Sequence, residues 1–340
     1  MGERQRVADN ATTAQRNWIP GFLPLANMAN DTLFNNYSVE FQNNWEVKAQ
    51  QKTHRLLGTY MPDTFQGKSK MYSRIGTQEA QDQTTRKGDT PITNPDTDQR
   101  WIYHGVKELG NDMDQFDEQL LGQVVLPNSE YVNGHAMAFN RAMDRTLINA
   151  AIGTAYSGLN GTTANALPGN GTSTGATIAV SWDNGSTSIG LTLAKLLRLR
   201  ELAADNNIDV DGQDGGDDEL IMAVTMKQIT DLLKDVKLTS RDFTGEVTSL
   251  RDGKINSFLG IRFIRLTSTT DAGPLLPVAS GVRTCVAWSK SALRLATGES
   301  KTTIDRIAEK SNKIQIYSVK KMGAVRLWDD RVFQVLCAEL

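Results

Sequence analysis

A helix of roughly 35 Å with a single apolar face needs something equally large to cover it. Residues 127–155 predict such a helix. Asn128 or Ser129 can accept a backbone N–H at its start, and Val132, Ala136, Phe139, Met143, Leu147, Ala150 and Ala151 recur at spacings of three and four. Gly153 falls where the helix should stop. Three apolar strands are predicted after residue 314, around Ile316, Val325, Leu327, Phe333 and Val335. They have no other large helix to pack on, so helix and strands are expected to form one core. Phe139, Met143, Leu147, Ile316 and Phe333 would be its structural residues, with the intervening domain inserted between them.

Other segments carry apolar groups without a local partner. Asn occurs eight times in the first 60 residues, beside Pro20 and Pro24. Such a stretch cannot offset its own ordering entropy. Yet it carries Trp18, Phe22, Phe34 and Trp45. It is expected to be an arm that docks on a neighbouring molecule. Residues 67–77 and 99–106 alternate as strands around a polar stretch, 78–98, which predicts a long β-hairpin with a solvated tip. A hairpin alone is marginal, so it should lie against another surface. Lys70, Arg74, Arg86 and Lys87, with the arm aromatics, are the candidate interface residues. The acidic segment from Glu108 to Glu118 is expected to be solvated.

Gly, Thr, Ser and Asn make up 24 of the 38 residues in 153–190. This composition break separates the long helix from a region that alternates helices (192–206, 226–238) with apolar strands (220–225, 261–266, 283–289). The alternation predicts a compact sheet flanked by helices. The overall class is therefore α+β.

Little in the chain suggests chemistry. Cys285 and Cys337 cannot make a disulfide framework and point to a reducing compartment. His54, His104 and His135 lie in different kinds of segment, so neither a metal set nor a nucleophilic triad is suggested. Residues 207–218 approach a calcium-loop pattern through Asp209, Asp211 and Asp218. Asn stands at the first position, however, and a strand follows where the loop pattern has a helix. No catalytic residue, cofactor or metal is assigned. No apolar run is long enough to span a bilayer and no secretory leader is evident. A formal net charge of −2 argues against a dedicated nucleic-acid binder.

The order of these elements resembles the major capsid protein of tailed bacteriophages, the HK97-type shell fold, and in particular its short-tailed-phage sub-type. The resemblance is carried by residues 127–131 leading into 141–145, by 220–233 (LIMAVTMKQITDLL), 253–263 (GKINSFLGIRF), 286–296 (VAWSKSALRLA) and 322–326 (MGAVR). It implies an N-terminal arm over 1–60 and an E-loop hairpin over 61–107. It also implies a peripheral domain with spine helix over 108–156 and 301–340, and an axial α/β domain over 157–300. The implied function is a self-assembling icosahedral shell of hexamers and pentamers enclosing double-stranded DNA. Its partners would be other copies, a portal, scaffolding or cement proteins, and DNA contacted without sequence preference. No membrane is involved; the protein would sit in the virion after assembly in host cytoplasm. Arg4, Arg6, Arg141 and Arg145 are the cations expected to face the interior. The alternatives are an encapsulin-type compartment, or a calcium- or glycan-binding surface protein built on the 207–218 loop.

Overall fold

In the computed structural model the described residues are 50–64, 66–82, 85–86, 92–113, 130–167, 176–185, 187–209, 218–234, 257–270, 272–309 and 313–339. All fall within one contact unit, 47–115 with 124–340.

The chain enters through 50–60 and forms β1 (Met61–Thr64), β2 (Ser69–Ile75), β3 (Thr97–Tyr103) and β4 (Gly105–Met113). The long helix α1 (Glu130–Ile152) follows, then β5 (Ala155–Ser157), β6 (Thr163–Asn165) and β7 (Thr177–Ile178). Next come α2 (Leu193–Asp205), β8 (Leu220–Val224), α3 (Met226–Leu233), β9 (Ser257–Phe258), β10 (Ile261–Arg265) and β11 (Val278–Ala279). The remainder is β12 (Val282–Ser289), β13 (Leu293–Ile307), β14 (Lys313–Arg326) and β15 (Val332–Ala338). The fold is mixed α+β with three sheets.

The hairpin sheet has the order β2-β3-β5-β6 and is antiparallel throughout. A second sheet, β1-β13-β14-β4, lies under α1. The third and largest runs β7-β15-β12-β8-β10-β9, with β11 pairing beside β12. Its β8 is buried at every residue, as an unbroken apolar run in a covered sheet requires. Helices α2 and α3 contribute buried Leu196, Leu199, Leu202, Ile229 and Leu232 to the same core. Among the charges inside that core is Lys195, fully buried, whose Nζ donates to the carbonyls of Val180 (3.0 Å), Ile189 (2.9 Å), Gly190 (2.9 Å) and Leu336 (2.8 Å). Burial pushes its pKa down; Cys337, Cys285 and Asp231 oppose that.

Four expectations are corrected. The helix ends at Ile152, short of 155, while residues 127–129 lie outside the described residues; its buried stripe contains His135 and Asp144 beside Met143, Leu147, Ile148 and Ala151, and Ala136 is exposed. Polar partners, described below, let those two side chains sit where periodicity alone would place apolar ones. The acidic segment is solvated as expected where described, Glu108 and Asp112 being exposed, but its first part is an edge strand that the sequence did not announce, β4 pairing with β14 along its length. Residues 50–60, assigned to the arm, are instead part of the main core, where Leu56 and Thr59 are fully buried and Thr59 O accepts from Trp288 Nε1 at 2.8 Å.

The fourth correction concerns the C-terminal strands, two where three were expected, Ile316 and Val325 both lying on β14. They do not share one sheet: β14 pairs with β13 and β4, but β15 crosses to the largest sheet and pairs with β12 over seven positions. The aspartates 329–330 therefore mark a change of sheet rather than a hairpin turn. Met143, Leu147 and Phe333 lie in one cluster with Phe139 packed at its edge, half-buried. Val325 and Leu327 belong to a separate cluster with Ile102, Ala155 and Ala296, and Ile316 is fully buried in the sheet under α1.

Candidate assembly surface

The hairpin sheet has two unlike faces, as strict alternation demands. Inward, Ile102 is buried against Ala155, Ala296, Val325 and Leu327, with Tyr72 and Trp328 at the margin. The hairpin thus has a small core within its own chain. Gly323 makes the close approach possible: a Cβ there would meet Tyr103 O at 2.6 Å.

Two charged clusters fasten this root. In one, Arg74 reaches Asp98 and the Leu327 carbonyl and stacks over Trp328 at 5.2 Å, while Arg100, nearly fully buried, pairs with Asp329. Asp329 also accepts from Arg326 Nε at 2.6 Å. The remaining Arg326 N–H groups go to the Ala151 and Gly153 carbonyls, both at 2.8 Å, and to Asn165 O at 3.1 Å. A buried cation there satisfies carbonyls at the end of α1 and meets the negative end of its dipole. In the other cluster, Asp63 accepts from Lys70 Nζ and Tyr72 Oη, both at 2.7 Å, and Arg294 lies over the Tyr72 ring at 4.9 Å. Burial alone would raise the Asp63 pKa; the bonds from Lys70, Tyr72 and the Thr64 N–H bring it down to about 2. Burial, then the Asp63 bond and charge, raise that of Tyr72.

The outward face is apolar. Met71, Trp101 and Tyr156 stand side by side across three strands by register, and Ile75 and Tyr103 share their side of the sheet. Met71, Ile75, Tyr103 and Tyr156 are 42, 65, 45 and 41% exposed. Tyr103 and Tyr156 meet edge to face at 5.8 Å. Trp101 Nε1 donates to Gly158 O at 2.7 Å and Tyr103 Oη to Gly161 O at 3.1 Å, so the 158–161 turn rests on part of this face and Met71, Ile75 and Tyr156 are the candidate contact residues beside it.

A third anchor joins the entry segment to α1. Asp144, fully buried, accepts from the backbone N–H groups of Leu56 (3.1 Å) and Arg55 (3.3 Å) and from Gln51 Nε2. His54 Nδ1 lies 2.6 Å from its other oxygen, and His54 Nε2 meets Tyr60 Oη at 3.0 Å. His135 Nδ1 bonds Ser318 Oγ at 2.9 Å, linking α1 to β14; burial lowers its pKa.

The sequence candidates fall out as follows. Lys70 and Arg74 are the cations of the two root clusters, and Arg86 is exposed in the hairpin tip. Trp18, Phe22, Phe34, Trp45, Lys87 and Asp211 lie outside the described residues, as do Arg4 and Arg6. Asp218 is not a metal ligand in waiting: it accepts from Arg331 Nη1 (2.6 Å), Ser291 Oγ (2.8 Å) and Ser291 N–H (3.0 Å). Asp209 is half-buried, and no cluster of three metal-ligating side chains occurs among the described residues. Arg141 and Arg145 each donate within the chain. Sequence reasoning missed Arg100, Arg326, Asp329 and Asp144. Only the placing of Asp144 within an apolar stripe signalled anything unusual.

No curated protein matches the chain in sequence. Among solved structures, the capsid of cyanophage P-SCSP1u is similar with a TM-score of 0.61 at 14% identity, over 94% of this chain and all of that one. The acid-stable capsid structure of Helicobacter pylori bacteriophage KHP30 gives a TM-score of 0.62 at 10% identity, with the same coverage. Mycobacterium phage Che8 gives 0.59 at 15%, over 89% of this chain and 98% of that one. At such identities the likeness establishes the fold. The family model described as phage capsid protein matches residues 33–339, most of the chain, and the chain therefore belongs to the phage capsid protein family.

Proposed function

We propose that the protein is the major shell subunit of a tailed phage, assembling through hexamers and pentamers into an icosahedral capsid around double-stranded DNA. The observation that carries this reading is the hairpin sheet, rooted by charge clusters in its own chain and presenting Met71, Ile75, Trp101, Tyr103 and Tyr156 on the face turned away from that root. Within the chain the 158–161 turn covers part of that row, at Trp101 and Tyr103; a repeating head-to-tail contact covers the exposed remainder. In HK97 terms β2 and β3 are the E-loop, α1 is the spine helix, and β4, β13 and β14 form the peripheral sheet. The largest sheet is then the axial domain, with β15 counted to it. Residues 1–49 are the arm that reaches a neighbouring copy, with Trp18, Phe22, Phe34 and Trp45 as its contacts. Portal, scaffolding and cement proteins are the further partners, the assembled protein resides in the virion, and assembly takes place in host cytoplasm.

The test is electron microscopy of the purified chain beside a variant in which residues 78–94 are replaced by a short Gly-Ser linker. That variant keeps Asp96, whose carbonyl closes the strand pair on Gly76, and Asp98, the partner of Arg74. Closed shells from the parent chain and folded, unclosed subunits from the variant are expected. Normal shells from the variant would remove the assembly role of the hairpin.

A further inference from the structure

Several arginines are neutralised by carboxylates: Arg74 by Asp98, Arg100 and Arg326 by Asp329, Arg331 by Asp218. Arg283 is paired likewise with Glu339. One face is built differently. The entry segment runs along α1, with Asn140 Nδ2 donating to Lys52 O at 2.9 Å and Arg141 Nη1 to Gln50 Oε1 at 2.6 Å. One turn further, Arg145 Nη2 donates to Thr270 Oγ1 at 2.9 Å and Gly273 O at 3.2 Å. Arg55 Nη1 donates to the Arg265 carbonyl at 3.0 Å, and Arg55, Arg262 and Arg265 line a cleft of about 740 Å³.

The acceptors that fix Arg55, Arg141 and Arg145 are an amide, a hydroxyl and backbone carbonyls. They hold each guanidinium in place without cancelling its charge. Against six cations (Lys52, Arg55, Arg141, Arg145, Arg262 and Arg265), the described carboxylates here are Glu219, 3.0 Å from Arg262, and Asp144. The latter is buried beneath and already engaged by His54, Gln51 and two backbone amides. In a chain of net charge −2 this is a segregation of positive charge.

We propose that this face contacts the phosphate backbone of duplex DNA, with the Arg55–Arg262–Arg265 cleft receiving a phosphodiester. The proposal rests on the reading of the chain as a shell subunit around DNA and adds which face of the subunit points inward. Guanidinium forks match pairs of phosphate oxygens. Phe263, the aromatic residue in the cleft wall, is buried and offers no open ring to a base, so the contact carries no sequence information.

The test uses the full chain and a short random-sequence duplex, with binding followed by fluorescence anisotropy over a potassium chloride series. Each phosphate contact contributes about 0.9 to the slope of log affinity against log salt. The triple variant Arg55→Gln, Arg262→Gln, Arg265→Gln is expected to flatten that slope by about 2–3. A control triple, Lys68→Gln, Lys107→Gln, Lys301→Gln, removes three other exposed cations and should not. A second measurement needs no variant. Phenylglyoxal labelling of the wild-type chain, read by mass spectrometry, should be blocked by duplex at Arg55, Arg262 and Arg265 and unaffected at Arg198, which sits on α2 paired with Glu201 at 3.0 Å. An equal slope in both triples, or labelling unchanged by duplex, overturns the proposal. So does stronger protection by polyglutamate than by duplex, which would identify an acidic polypeptide as the occupant. Micrographs of the same preparations keep the two readings apart. Shells with unprotected arginines remove the inward face alone, whereas protected arginines without shells remove the capsid reading and leave the DNA contact standing.

Discussion

At the residue scale, buried charges do the fastening, and each can be tested alone. Lys195 gathers four carbonyls from the 180–190 segment and β15. Lys195→Met keeps the apolar stem and takes a donor from all four; the Ile189 and Ala338 N–H groups still reach Val180 O and Ile189 O, so the expected loss is about 2–4 kcal/mol in urea denaturation; a loss below ~1 kcal/mol would mean other donors reach the Gly190 and Leu336 carbonyls as well. His135 gives a pH dependence. Its Nε2 has no partner among the described residues, and burial lowers its pKa, so the folded chain resists a proton that the unfolded chain accepts at about pH 6.5. Stability from this group is therefore complete above that pH and falls as pH drops through it toward the lower folded value. Thermal melts from neutral to mildly acidic buffer should show the decline, and His135→Gln should flatten it. An identical pH profile in the variant would show that His135 is not the group responsible. Asp63 acts separately, in stronger acid: its depressed pKa makes the hairpin root lose stability as pH falls from about 4 toward 2.

At the element scale, burial along α1 sets an order among substitutions. Leu147 is fully buried and Phe139 only half-buried. Leu147→Ala is expected to cost about 3–5 kcal/mol, and Phe139→Ala about 2 kcal/mol despite its larger side chain. Chemical denaturation would refute this if the order were reversed. Much of α1 was legible because a 3.6-residue period survives two polar insertions. The hairpin strands were legible because alternation and the polar stretch between them are local. Three features were not. Residues 50–60 look like arm because their anchor, Asp144, lies almost ninety positions away and reads as a solvated charge. β4 does not read as a strand because its pairing is made by backbone, which solvated acidic side chains do not reveal. β15 looks like a partner of β14 because alternation states that a strand exists and not which sheet takes it. The root clusters failed for the same reason: Arg100 and Arg326 meet at Asp329 only once β3 and the end of β14, more than two hundred positions apart, have folded together.

At the scale of the whole molecule, stability and assembly should separate. Met71 and Tyr156 lie on the outward face of the hairpin sheet, away from its small core. Met71→Lys with Tyr156→Lys is expected to leave the melting temperature of free subunits within a few degrees of the parent, since exposed substitutions change stability by about 0.5 kcal/mol or less. Shell yield in sedimentation should collapse. Shells at parental yield would show that the apolar row is not a subunit contact. The Asp144, Arg326 and Asp63 clusters work the other way: they tie the entry segment, the helix end and the hairpin to one body, so damage there should lower the melting temperature first and assembly as a consequence.

The place of β15 bears on how the chain is made. It fills the slot between β7 and β12, yet follows both in sequence. During synthesis the largest sheet therefore keeps an open slot until residues 332–338 emerge, with the β12 edge and the Lys195 ammonium still short of partners. A nascent chain cannot complete this sheet early; on the shell reading proposed above, the copies competent to join would be those whose translation has passed that strand.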